Sequence, residues 1–172
     1  RLAGNLAQGS GGGAAMCRLY SCEVVGNLAC ELGGGAFKST LHNATVVDNE
    51  ANDGGGVAAC HSTNSIIYYN TAFTNSNWQG SGYYVRNFIL PSPAGINYTG
   101  APGIVSLSQP RLAAAASAIN AGINKAWMFD AVEFDGEIRT NGTVDVGADE
   151  FWASGVTGAL WVTFTEVAMR PV

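Results

Sequence analysis

Three acids, Asp48, Glu50 and Asp53, crowd one short stretch, with Lys38 and His42 shortly before them. Paired carboxylates are the working groups of glycosidases, and a carboxylate beside a basic group serves elimination or hydrolysis of acidic sugars. A polar turn would explain the same residues. Trp78, Tyr83 and Tyr84 form a second group; flat aromatic faces stack on sugar rings, or pack under a neighbouring segment. A third group is Asp130, Asp135, Asp145, Asp149 and Glu150 around a single Arg139. Hard cations such as calcium take several oxygen ligands, which makes Asp145, Asp149 and Glu150 the candidate metal ligands. The spacing is not that of an EF-hand. The competing reading is an ion-pair lock in which Arg139 takes Asp145 or Glu150 and folding needs no metal.

What must position these groups is a repeat. Asn5, Asn27, Asn49 and Asn70 recur at intervals of 22, 22 and 21, and glycine triplets begin at Gly11, Gly33 and Gly54. A fixed period in the twenties marks stacked units, none of which can bury its apolar face alone. The units lack the leucines of a leucine-rich repeat and carry short β-branched runs instead. The expected fold is all-β: a short right-handed parallel β-helix of about four coils over residues 1–90. Residues 70–90 form the last, degraded coil, with Gly80 and Gly82 in place of the triplet. Residues 91–152 form a C-terminal cap with a loop, a short helix and a hairpin.

Coils stack roughly 4.8 Å apart, so equivalent side chains touch. The columns Cys22/Ala44/Ser65 and Val24/Val46/Ile67 are expected to face inward, and Glu23/Thr45/Ile66 outward. The asparagine column is expected at a left-handed turn, its amides bonded coil to coil as a structural ladder. The triplets read as turn-makers, because no phosphate-loop lysine follows them. Residues 111–121, rich in alanine and ended by Gly122, predict a helix covering the open end of the core. Ile104–Leu107 predicts a strand, and Asp135-Gly136 and Asn141-Gly142 predict hairpin turns. The alternating tail, residues 153–172, predicts a strand with Leu160, Val162 and Phe164 on one face.

Composition narrows the partners. The net charge is −5, and eight of thirteen acids follow residue 129, so the repeat body is nearly uncharged; nucleic acid and anionic membranes are poor partners. No stretch approaches the ~20 apolar residues of a membrane helix. Cys17 and Cys60 share a column two coils apart, roughly 9–10 Å, too far for a disulfide. Cys22 reads as a small buried side chain and Cys30 as a turn residue. Neither the cysteines nor His42 and His61 have zinc spacing, and no cofactor is expected.

The repeats Gly-Asn-x-Ala and Gly-Gly-Gly-Ala, with Asn43-Ala44-Thr45-Val46-Val47 and Asn64-Ser65-Ile66-Ile67, resemble right-handed parallel β-helix repeat proteins of bacteria. The run Gly142-Thr143-Val144-Asp145-Val146-Gly147-Ala148-Asp149-Glu150-Phe151 resembles the closing segment of many of them. The resemblance implies a pectate-lyase-like superhelix on a secreted or cell-surface protein, although no signal peptide is visible here. Two functions follow. One is a non-catalytic surface or scaffold module that binds glycan or a protein partner; the other is a polysaccharide lyase or glycosidase acting through Asp48, Glu50 and Asp53. An ice-binding surface would need stacked threonines, and Thr45 has none above or below it. A first coil with nothing before it to cover its edges is expected to form a homodimer or accept a swapped tail.

Overall fold

The computed structural model describes residues 1–153 except Phe134; the predicted tail strand with Leu160, Val162 and Phe164 lies outside the described residues. The chain winds as a parallel β-solenoid of four coils, each contributing one short strand to each of four faces. Face one stacks Leu2–Ala3, Glu23–Val25, Thr45–Val47, Ile66–Ile67 and Phe88–Ile89. Face two stacks Leu6–Ala7, Leu28–Leu32, Glu50–Asp53 and Thr71–Thr74. Face three stacks Ala14–Ala15, Ala36–Phe37, Val57–Ala58 and Trp78–Gln79, and face four Arg18–Tyr20, Thr40–His42, His61–Thr63 and Tyr84–Val85. The register repeats the sequence period: Glu23 lies beside Thr45 and Ile66 beside Phe88.

Four faces need four corners, and each corner is one residue with positive φ. Gly4, Gly26, Asp48 and Tyr69 turn face one into face two; Gly11, Gly33, Gly54 and Asn75 turn face two into face three. Met16, Lys38, Ala59 and Gly80 make the third corner, and Ser21, Asn43, Asn64 and Arg86 the fourth. The predicted left-handed turn is therefore one residue earlier than the asparagine column. Asn5, Asn27, Asn49 and Asn70 follow the corner, which aims their side chains into the coil above or below.

There they make the predicted ladder. The backbone N–H and side-chain Nδ2 of Asn27 both donate to Oδ1 of Asn49, at 2.9 and 2.8 Å. Asn5 does the same to Asn27, and Asn49 to Asn70. The remaining amide hydrogen of Asn49 reaches the carbonyls of Val24 and Val47. After the triplet's first residue, glycine is required by proximity. A Cβ on Gly34 would lie 2.2 Å from the carbonyl oxygen of Glu50 and 2.5 Å from that of Gly55, well inside contact distance.

The fourth coil shows what happens where stacking stops. Asn75-Ser76-Asn77, rather than Gly80 and Gly82, occupy the triplet's place; Gly56 and Val57 donate to the carbonyls of Ser76 and Asn77. With no further glycine to meet, the side chain of Asn77 ends the ladder, accepting from Asn70 and donating to the Leu90 carbonyl. Residues 95–98 then add part of a fifth rung: Tyr98 bridges Phe88 in parallel and stacks on it at 4.8 Å.

Two apolar clusters result. The lumen holds Leu19, Val24, Leu41, Val46, Val57, Ile67, Tyr84 and Ile89. The second lies on the outside of face one, where Val25, Val47, Ile66 and Phe88 meet Leu112, Ala116, Ala118 and Val146. The predicted outward column Glu23/Thr45/Ile66 does point out of the lumen, yet all three are buried, because the segments holding Leu112, Ala116, Ala118 and Val146 pack along this face instead of across the end of the core. The predicted helix over 111–121 does not form. Ala113 and Ala116 accept only i+3 turn bonds from Ala116 and Ile119, while Leu112 bridges Ile104 and Ala118 donates to the carbonyl of Pro102. Burial against face one outweighs alanine's helix preference, which is worth only tenths of a kcal/mol per residue. The predicted strand at Ile104–Leu107 reduces to that single bridge. The hairpin at Asp135-Gly136 is present in minimal form, with Val132 bridging Ile138 antiparallel and Gly136 at φ 89°.

Candidate functional sites

Asp48, Glu50 and Asp53 are spread along face two and the corner that leads into it. Asp48 is a corner residue in the column of Gly4 and Gly26, and Glu50 is exposed on face two between Leu28 and Thr71 in register. Asp53 accepts a hydrogen bond from the corner residue Asn75 at 2.8 Å. Lys38 lies over its neighbour Phe37 at the third corner, and His42 is on face four. These acids are turn and strand-face residues on a different sheet from the basic groups expected to work with them.

The three aromatics separate. Tyr84 is fully buried in the lumen, and Trp78 tilts against it at 5.6 Å while donating to the Pro91 carbonyl. Only Tyr83 is well exposed, so no three-ring platform exists.

The acids around Arg139 are a structural lock with different pairings from those expected. Arg139 is fully buried, and its carboxylate partner is Glu133 at 3.1 Å, not Asp145 or Glu150. Its Nη1 and Nη2 also donate to the carbonyls of Asp145, Gly147 and Ala148, while its Nε is buried without an acceptor. The three candidate metal ligands are occupied by backbone amides. Asp145 accepts from Asn120 and Phe151, Asp149 from Leu112, and Glu150 from Asn141 and Asp145. Burial pushes all three carboxyls up, Asp149 to about 6 and Glu150 to about 7, with the amide donors only partly offsetting it. These groups close the flank onto face one, where Gly147 donates to Asn64 and Ala148 to the Thr45 hydroxyl. Arg111 links the flank to the first coils through Glu23 at 2.8 Å, which also pairs with Arg1.

Two groupings were not read from the sequence. On face four, Tyr20 stacks on His42 at 4.9 Å, one coil apart in register, and Trp127 meets Tyr20 edge-on at 5.1 Å. Trp127 sits on a short 3-10 turn, Ala126–Met128, which the buried Met128 anchors. Burial, Lys125 and Arg18 together hold the His42 imidazole below its ordinary pKa. Tyr20 keeps 44% of its surface exposed, Lys125 and Arg18 are exposed, and neither cation is in an ion pair among the described residues. The 22-residue period predicts Tyr20 over His42; nothing local predicts Trp127, which arrives from more than a hundred residues away.

The other grouping is Glu133, Asp135 and Glu137, whose carboxylate oxygens lie within 4.8 Å of one another. The Asp135-Gly136 turn is the signal for it, since it sets Glu133 opposite Glu137.

No family model, curated protein or solved structure matches the chain. The class defined is therefore a fold class, a four-sided parallel β-solenoid.

Proposed function

We propose that the chain is a non-catalytic β-solenoid binding module of secreted or cell-surface type, and that face four takes an anionic polysaccharide. The observation that carries this reading is the Tyr20–His42–Trp127 cluster with Arg18 and Lys125 beside it. Aromatic faces stack on the C–H faces of sugar rings, and unpaired cations bind the carboxylates or sulfates of an acidic glycan. A strand face suits an extended polymer. The lyase or glycosidase reading gets less support, because Asp48, Glu50 and Asp53 are distributed over corners and a strand face. Likeness to bacterial pectate-lyase-like proteins rests on the sequence motifs alone. A homodimer remains part of the proposal: among the described residues the first-coil strands of all four sheets have a single neighbour, and open edges attract strands. Among the described residues no helix is long and apolar enough to cross a membrane.

The test is binding to a panel of soluble polysaccharides by affinity electrophoresis. Polygalacturonate or a sulfated glycan should retard the protein, neutral glucans should not, and salt should weaken the effect. Retardation by neutral glucans alone would overturn the cationic part of the reading. Light scattering that shows a clean monomer at tens of micromolar would contradict the dimer.

A further inference from the structure

We propose that Glu133, Asp135 and Glu137 form a binding site for a hard divalent cation, calcium being the closest match. The hairpin turn at Asp135-Gly136 brings three carboxylates from a five-residue stretch to one point, their oxygens within 4.8 Å of one another. Acids clustered on a surface turn would need no ion, because water screens them. This cluster is different in one respect. The Glu133 side chain is fully buried, with its Oε2 paired to Arg139 and the Glu150 amide beside the carboxyl. Its Oε1 is buried without a hydrogen-bond donor, and so is Oδ1 of Asp135. Two orphaned carboxylate oxygens in one small cluster are a costly arrangement that a bound cation resolves.

The surroundings suit a cation as well. A cavity of about 250 Å³ is lined by Asp135, Glu137, Asp149 and Glu150, with Arg111 as its one basic residue. Arg111 is itself shared among Asp135, Asp149 and Glu23. Carboxylates with room for water or carbonyl oxygens are what calcium takes, whereas zinc would want imidazole or thiolate. His42 and His61 are on face four, away from this hairpin. These ligands differ from the Asp145, Asp149 and Glu150 set that the sequence suggested, because those carboxylates already accept backbone amides.

Terbium is the probe, since it replaces calcium and is sensitised by a nearby indole; Trp152 lines the same cavity. Protein stripped with a chelator and exchanged into chelator-free buffer should show saturable terbium emission that calcium displaces. Trp152→Phe should dim the emission while leaving calcium binding, measured by calorimetry, intact. Glu137→Gln should weaken binding at least about tenfold, a loss typical even of groups outside the coordination shell. This variant should lose the calcium-induced rise in melting temperature, measured against the same variant in chelator. Asp135→Asn is the second variant. Absence of saturable terbium emission and of calcium heat in the parent protein would overturn the site. So would binding that Glu137→Gln and Asp135→Asn both leave unchanged.

Discussion

The side chain that follows a corner does as much for this solenoid as the corner itself. After the first corner it is asparagine, whose Oδ1 takes two donors from the preceding coil while its Nδ2 serves the asparagine Oδ1 of the next coil and carbonyls of the preceding coil and its own. After the fourth corner the same job falls to Ser65, Asn87 and Asn97: Ala44 donates to the Ser65 hydroxyl, Ser65 to Asn87, and Asn87 to Asn97. After the third corner it falls to Cys17, Ser39 and Cys60, with the Cys17 amide donating to the Ser39 hydroxyl and the Ser39 amide to the Cys60 sulfur. Burial pushes the Cys60 thiol up to about 11, so it serves as a neutral rung and is a poor nucleophile. Asn49→Ala should cost about 1–3 kcal/mol for each buried group left unpaired, read as a lower urea midpoint. A change below 0.5 kcal/mol, on the order of a neutral surface substitution, would contradict the ladder's energetic role. Asp48→Gly places at the corner the residue that its column has at Gly4 and Gly26. Relief of the left-handed strain, about 1–2 kcal/mol, is partly offset by the freer unfolded chain, so stability should stay level or rise slightly. A clear loss in the same urea titration would show that the Asp48 carboxylate makes a contact the corner needs.

Among the elements, the glycine column and the flank carry the next predictions. Gly34→Ala would drive a methyl into the backbone of the neighbouring coil at two points. It should destabilise by about 3 kcal/mol or more, at the level of a severe core defect, whereas an alanine at Gly4, where nothing lies within 4 Å, should cost only the positive-φ strain. Equal losses would rule out close stacking as the reason for the triplets. The flank predicts a pH dependence. Burial raises Glu133 from 4.5 to about 9, and Arg139 only partly opposes it; Glu150 and Asp149 move the same way. A carboxyl whose folded pKa is raised binds more protons folded than unfolded. Its stabilising effect is therefore complete below about pH 4.5, its ordinary value, and is lost as pH rises toward the folded value. In chelator, melting temperature should fall between pH 5 and pH 8, and Glu133→Gln should flatten that fall. An unchanged slope would place the titration elsewhere.

At the scale of the molecule, the solenoid was legible because stacking writes itself into a period. The spacing of Asn27 and Asn49 and of Gly33 and Gly54 contains the ladder and the corners once one rung is known. What was not legible came from contacts with no period. Nothing near Thr45 or Ile66 announces that Ala148 and Val146 will cover them, and Ala113–Ala118 carry a helix preference that only the apolar outside of face one overrides. The site was harder for the same reason. Asp48, Glu50 and Asp53 are close in sequence and so are read together at once, whereas the Tyr20–His42–Trp127 cluster joins a register pair to a turn from the far flank. The measurement that bears most directly on the account is calorimetric titration of the protein with an oligogalacturonide, comparing the parent with Tyr20→Ala/Trp127→Ala and with Asp48→Asn/Glu50→Gln/Asp53→Asn. Binding should be lost in the aromatic pair, kept in the acid triple, and unaccompanied by cleavage of the oligosaccharide in any of them. Binding that survives the aromatic substitutions, or cleavage that the acid triple abolishes, would contradict it.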